Sequence, residues 1–142
     1  MTTLPRGLRN NNPLNIEKTK GGNPWQGEIV PSKDSRFAQF TTIAYGYRAA
    51  FKLLHNYQRL HGLDTIRKMI TRWAPPGKQD NNHTENYIRV VSERSGVPTD
   101  VRITTTNRDV MVPIVAAMSY VENGVEAKMW DVQEGWELFV KG

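Results

Sequence analysis

The chain contains no cysteine, so disulfides and thiolate metal sites are excluded and the redox compartment stays open. Histidine is scarce too: His55, His61 and His83 are the full set. His55 and His61 stand six apart, so on a helix they do not share a face as an i, i+4 pair does, and no His-Glu-x-x-His segment exists. No metal site and no cofactor are expected. A Gly-rich phosphate loop and a serine nucleophile motif are both missing. No apolar run approaches the length of a membrane span, and "MTTLPRGLRNNNPLNI" lacks the basic-then-apolar pattern of a secretory signal. There is no internal repeat, low-complexity tract or long linker.

What is present suits one compact domain over 1–142, long enough to bury a core unaided. Four Trp, five Tyr and four Phe supply large side chains for a core or a groove. Nineteen Lys plus Arg against fourteen Asp plus Glu leave a net charge of +5, a balance that favours polyanionic partners: nucleic acid, anionic membrane, or a bacterial wall with acidic polymers.

The first forty residues are rich in Asn, Gly and Pro and carry no helical period. Within them "WQGEIV" (25–30) and "SRFAQF" (35–40) alternate, which predicts a small β-hairpin around "PSKDS". From Thr42 the period becomes helical. Ile43, Tyr47, Ala50, Phe51, Leu54 and Tyr57 share one face, and Gly62 marks the end. A shorter helix is predicted from about Asp64, burying Ile66, Met69 and Ile70 and stopping at "WAPP". A third, capped by Thr84 or a neighbour, runs through "ENYIRVVSERS" to Gly96. A fourth starts near Asn107, with Met111, Ile114, Val115, Met118 and Val121 as its apolar stripe and Pro113 in its first turns or bending it. "DVQEGWELFV" reads as a C-terminal helix with an Asp131/Glu134 capping box. The expected fold class is mainly α (α+β) with a small β-hairpin lobe.

The fourth helix ends in Glu122. Burial beside Met118 and Val121 and the negative end of the helix dipole both disfavour its ionised form. A carboxylic acid that keeps its proton can give it to a leaving glycosidic oxygen. The helix pattern by itself equally allows an exposed carboxylate beside an Asn123-Gly124 C-cap.

The segments "RGLRNNNPLNI", "WQG", "DSRFAQF", "YGYRAAF", "WAPP" with "NNHTENYI", and "VENG" together resemble a family of small phage and prophage proteins that includes virion structural proteins and lysozyme-like wall hydrolases. "NNPLNIEKTKGGNPWQG" followed by "RFAQFTTIAYGYRAAFKLLHNY" is similar to a block of flagellar-type N-acetylglucosaminidases. "HTENYIRVV" resembles the Glu-Thr-x-Asn-Tyr-Val pattern of soluble lytic transglycosylases, with Thr84 and Glu85 in swapped order, so Asn86 and Tyr87 carry over. In those families an apolar helix ending in Glu-Ser-Gly holds the acid and precedes the other blocks; here "MSYVENG" comes last, as in a circular permutation, which domains with neighbouring termini tolerate. The resemblance implies a lysozyme-like domain with Glu122 as proton donor and Tyr87 against it. It also implies peptidoglycan glycan strands as substrate, other virion proteins as partners, and a place in the virion or in the host cytoplasm before release to the wall.

Lysozyme-like enzymes often add a second carboxylate from the small lobe. Asp34 is the favoured candidate and Glu28 the other, although either also fits a loop or strand-surface charge. If neither faces Glu122, one glutamate could serve first as acid and then as base, as in lytic transglycosylases. Tyr87 fits an apolar helix position as well as a site. Asn15 and Gln39 could bond sugar hydroxyls or amides, or stabilise turns. Trp25 and Trp73 could stack on pyranose rings or fill the core; Trp130 and Trp136 read as core or C-terminal docking. Two rivals stand beside the enzyme: a wall-contacting virion protein without chemistry, and a nucleic-acid binder using Arg6, Arg9, Arg67, Lys68, Arg72 and Arg89. The basic residues are scattered and no nucleic-acid motif accompanies them, so no nucleic-acid partner is expected.

Overall fold

A computed structural model describes residues 4–77 and 82–142. The chain is mainly helical: α1 (Arg6–Arg9), α2 (Ile43–His61), α3 (Ile66–Trp73), α4 (Asn82–Ser95), α5 (Arg108–Asn123) and α6 (Met129–Lys141). None of these helices is long and apolar enough to cross a membrane.

The boundaries of α2 follow from its ends. The Thr42 hydroxyl accepts the Tyr45 N–H, and Gly62 takes the left-handed conformation (φ 66°) that closes the helix. The α3 cap is Thr65, one residue beyond the expected Asp64. It accepts the Lys68 N–H, while Asp64 is held in ion pairs with Lys68 and Arg102. α4 begins at Asn82, so its cap position lies outside the described residues; Thr84 is inside the helix, and its hydroxyl donates to the Ala74 carbonyl, tying α4 to the end of α3. α5 is capped by Asn107 and is buried on most of its circumference, from Met111 through Met118 to Asn123, as befits the central helix. Pro113 stands within it.

α6 corrects the capping-box expectation. It opens three residues early, at Met129, with Lys128 at the cap in place of Asp131 and no side-chain cap bond. Glu134 instead accepts the Trp130 indole N–H at 2.9 Å, one turn away, and Asp131 sits in the first turn where the helix dipole favours it. Trp130 is 74% exposed, contrary to its expected role in core or docking, whereas Trp136 is buried.

α2 packs chiefly on α6, through the aromatic group Phe51, Trp136 and Phe139, with Phe51 edge-on to Trp136 at 5.0 Å. α5 packs on α4, and α4 on α3. One hydrophobic cluster runs through all of them and takes in Leu14, Ile16, Ala38 and Phe40 from the N-terminal segment.

That segment corrects the hairpin. Residues 25–30 and 35–40 do approach, but among the described residues only isolated antiparallel bridges form, Glu28 with Phe40 and Glu17 with Phe37. The reason is that side chains, more than a strand ladder, meet the backbone's hydrogen-bonding needs. Asn12 donates to the Ile16 and Ala38 carbonyls and accepts the Ile16 N–H. Gln39 accepts from Lys33, and Asp34 from Arg36 and Phe37. The lobe is a side-chain-knotted loop over α2 and α5.

Candidate functional site

Between that loop and the helices runs a cleft of about 650 Å³. Leu14, Asn15, Ile16, Glu17, Thr19, Trp25, Arg36 and Phe37 line its loop side; Leu53 and Tyr57 of α2, Trp73 and Ala74 at the end of α3, and Glu122 of α5 line the other. Its size and its mixture of aromatic faces with a few polar groups are those of a ligand site.

Glu122 is half-buried, and three donors from three separate parts of the chain converge on it. The Asn15 amide donates to Oε1 at 3.1 Å, and the Trp73 indole N–H and Tyr87 hydroxyl donate to Oε2 at 3.2 and 2.9 Å. All three are neutral, and among the described residues no Lys or Arg pairs with Glu122. Tyr87 is buried; burial first, and then the charge and hydrogen bond of Glu122, push its phenol well above its ordinary pKa. It is therefore a fixed neutral donor.

Each donor is positioned by its surroundings. Trp73 ends α3 just before the Pro75-Pro76 stop. Tyr87 comes from α4, which packs on α5. Asn15 sits in the left-handed region at φ 55°, which Asn tolerates better than most side chains. The loop that carries it is clamped to the end of α5 by Asn123, whose amide donates to the Pro13 carbonyl at 2.8 Å and the Ser119 carbonyl at 2.9 Å. Gly7 completes the clamp from α1. A Cβ there would lie 2.7 Å from Asn123 Oδ1, 2.8 Å from the Asn12 carbonyl and 2.9 Å from Asn15 Oδ1, so α1 reaches the two asparagines only because residue 7 has no side chain.

Of the sequence candidates, Glu122, Asn15, Trp25 and Trp73 line one cleft, with Tyr87 directly behind Glu122. The other four lie elsewhere. Asp34 does not line the cleft: its carboxylate accepts from Arg6 at 2.7 and 2.8 Å, Asn10 at 2.9 Å, and the backbone N–H groups of Arg36 and Phe37 at 2.8 Å each. The Arg6 bond first, then these backbone donors, hold it far below the usual carboxylate range. It is a knot in the loop and does not face Glu122. Glu28 is likewise committed, to Thr19 and the Trp25 N–H. Gln39 bridges Lys33 and Asn10, and Asn86 is exposed on α4, accepting from Arg89. The second carboxylate of lysozyme-like enzymes suggested Asp34, and an amide able to bond sugar groups suggested Gln39; the loop's need for acceptors and donors uses them instead. Arg36, Phe37, Leu53 and Tyr57 went unrecognised as cleft residues. Tyr57 lies on the apolar face of α2, where the sequence pattern alone does not separate a core position from a cleft one.

No family model matches the chain. It is 39% identical over 134 residues to "Protein P5" of Pseudoalteromonas phage PM2, an alignment covering 93% of this chain and 80% of the other.

Proposed function

The chain belongs to the family of Protein P5 of Pseudoalteromonas phage PM2, and from that footing we propose that it is a lysozyme-like, peptidoglycan-cleaving glycosidase acting on β-1,4 bonds of the wall glycan, with Glu122 as general acid. One observation carries the reading: the apolar helix α5 delivers a carboxylate into a cleft flanked by Trp25 and Trp73, where only neutral donors hold it. Flat indole faces suit the C–H surfaces of sugars, and a carboxyl that lines the cleft between them is placed to deliver a proton to a leaving oxygen.

Asp34 and Glu28 are both occupied in the loop, and Glu17, the other carboxylate among the described lining residues, is paired with Arg36 at 3.0 Å. That supports chemistry by a single glutamate. Glu122 gives its proton to the glycosidic oxygen as the C1–O bond breaks. The sugar's own 6-hydroxyl oxygen then bonds to C1 while its proton passes to the Glu122 carboxylate, leaving a 1,6-anhydro end and an enzyme ready for another cycle. The Asn15, Trp73 and Tyr87 donors stabilise the intervening carboxylate.

Glu122→Gln preserves shape and removes the transferable proton. It is expected to keep the helical circular dichroism of the parent and to slow turbidity loss of purified sacculi by about 100-fold or more. Clearing at the parental rate refutes the assignment. Parent sacculi that bind the protein and are never cleared favour the alternative, a wall-binding virion protein that has the fold without the chemistry.

A further inference from the structure

Among the described residues, several cations are neutralised where they stand. Arg6 is held by Asp34, Arg67 by Glu85 and Asp100, Lys68 and Arg102 by Asp64, Arg89 by Glu93, and Arg94 by Glu126. Two guanidinium groups beside the cleft differ. Arg36, on the loop side, has its Cζ 5.0 Å from the centre of the Phe37 ring; Arg72, on the helical side, has its Cζ 5.2 Å from the centre of the Tyr57 ring. Both rings line the cleft, as does Arg36 itself. Arg72 is exposed and forms no ion pair among the described residues. Arg36 donates from Nε and Nη2 to Glu17 Oε1 at 3.1 and 3.0 Å, but Arg36 is 65% exposed and Glu17 58% exposed, so that pair is open to exchange. Arg6 also lies over Phe37, at 4.5 Å, but its donors are spent on Asp34.

A guanidinium held over an aromatic face has already lost much of its side-chain freedom and offers its N–H fork to an arriving carboxylate. One such group over an aromatic ring on each side of the cleft meets substituents that project sideways from a bound strand. Neutral polymers of N-acetylglucosamine have none that are charged. Peptidoglycan carries them on alternate sugars, as a lactyl ether whose carboxyl is either free or extended by an acidic stem peptide. Resting on the glycan-strand reading of this cleft, we infer that Arg36 and Arg72 select strands bearing carboxylates over neutral strands, with the incoming carboxylate displacing Glu17 from Arg36.

The test is binding, followed by tryptophan fluorescence because Trp25 and Trp73 line the cleft, in full-length Glu122→Gln protein so that strands are not consumed. Three probes are titrated: glycan strands with stem peptides, the same strands stripped of peptide but keeping the lactyl carboxylate, and the N-acetylglucosamine hexamer. Arg36→Gln and Arg72→Gln are each expected to weaken binding of charged strands about three- to fivefold, the scale of an exposed ion pair. Glu17→Gln is expected to strengthen it by a similar factor, and all three to change hexamer binding by less than they change charged-strand binding. Weakening for both charged probes assigns the lactyl carboxylate; weakening for the peptide-bearing strands alone assigns the stem peptide. Equal affinity for charged and neutral strands, or a loss shared by the hexamer, overturns the selection and leaves the glycan reading standing, whereas failure to bind any probe overturns both. Glu17→Gln reads the Arg36 contact from its other side should Arg36→Gln fold poorly.

Discussion

Among single residues, Asp34 and Gly7 show how much of this molecule is spent on holding a loop in place. Asp34 was the favoured candidate for a second carboxylate and also fitted a loop charge; five donors fix it between α1 and the loop, and its carboxyl titrates far below the usual range in the folded state, chiefly because of Arg6. A folded-state pKa depressed in this way contributes stability above the unfolded value of about 3.9, and that contribution is lost as pH falls toward the folded value. Asp34→Asn is therefore expected to cost on the order of 2–3 kcal/mol at pH 6, measured by urea unfolding. The gap between the two proteins should narrow progressively below about pH 4; a gap that widens with acidity contradicts this account. At Gly7 the constraint is space, because three oxygens surround the position of any Cβ. Gly7→Ala should cost about 1–3 kcal/mol as an overpacking change. It should also reduce sacculus clearing beyond the stability loss, since Asn15 can yield only by moving its amide away from Glu122. An unfolding midpoint equal to the parent's would show that the asparagines have room to spare.

The helices were legible in the sequence wherever period and caps agree. Thr42 and Gly62 bound α2 as their chemistry dictates, and Gly96 and Gly124 follow α4 and α5. The start of α6 was misread because Asp131 and Glu134 have capping-box spacing, while the exposed Trp130 finds its partner in Glu134 and carries the helix one turn further back. The α2–α6 pair depends on a feature that hydrophobic patterning does not reveal. A Cβ on Gly135 would fall 2.4 Å from the Tyr47 Cβ and 3.0 Å from the Ala44 carbonyl and the Arg48 N–H nitrogen, so the two helices touch through backbone. Gly135→Ala is expected to lower stability by about 1–3 kcal/mol, measured by thermal unfolding. Clearing at low temperature should be largely retained, because α6 contributes no residue to the cleft. An unchanged melting temperature would mean that α6 sits farther from α2 than described.

For the molecule as a whole, the site is assembled from distant sequence: Asn15 and Glu122 are 107 residues apart, Trp73 and Glu122 49, Tyr87 and Glu122 35. Glu122 could be picked out early, because a carboxylate ending an apolar helix is visible as a local pattern, and Tyr87, Trp73, Trp25 and Asn15 were singled out from resemblance and residue type. Beyond Asn15 and Trp25, the loop side of the cleft was not readable, because residues 14–40 are shaped by individual side-chain bonds from Asn12, Glu28, Asp34 and Gln39 and these carry no period. Arg36 and Arg72 come beside one cleft only once the chain is folded. The central claim, that Glu122 drives cleavage of the glycan strand, is tested most directly by mass spectrometry of the soluble products from purified sacculi treated with the parent protein and with Glu122→Gln. The account predicts glycan fragments with new 1,6-anhydro ends from the parent and none from the variant; sugar chains left intact by both proteins, or cut equally by both, would contradict it.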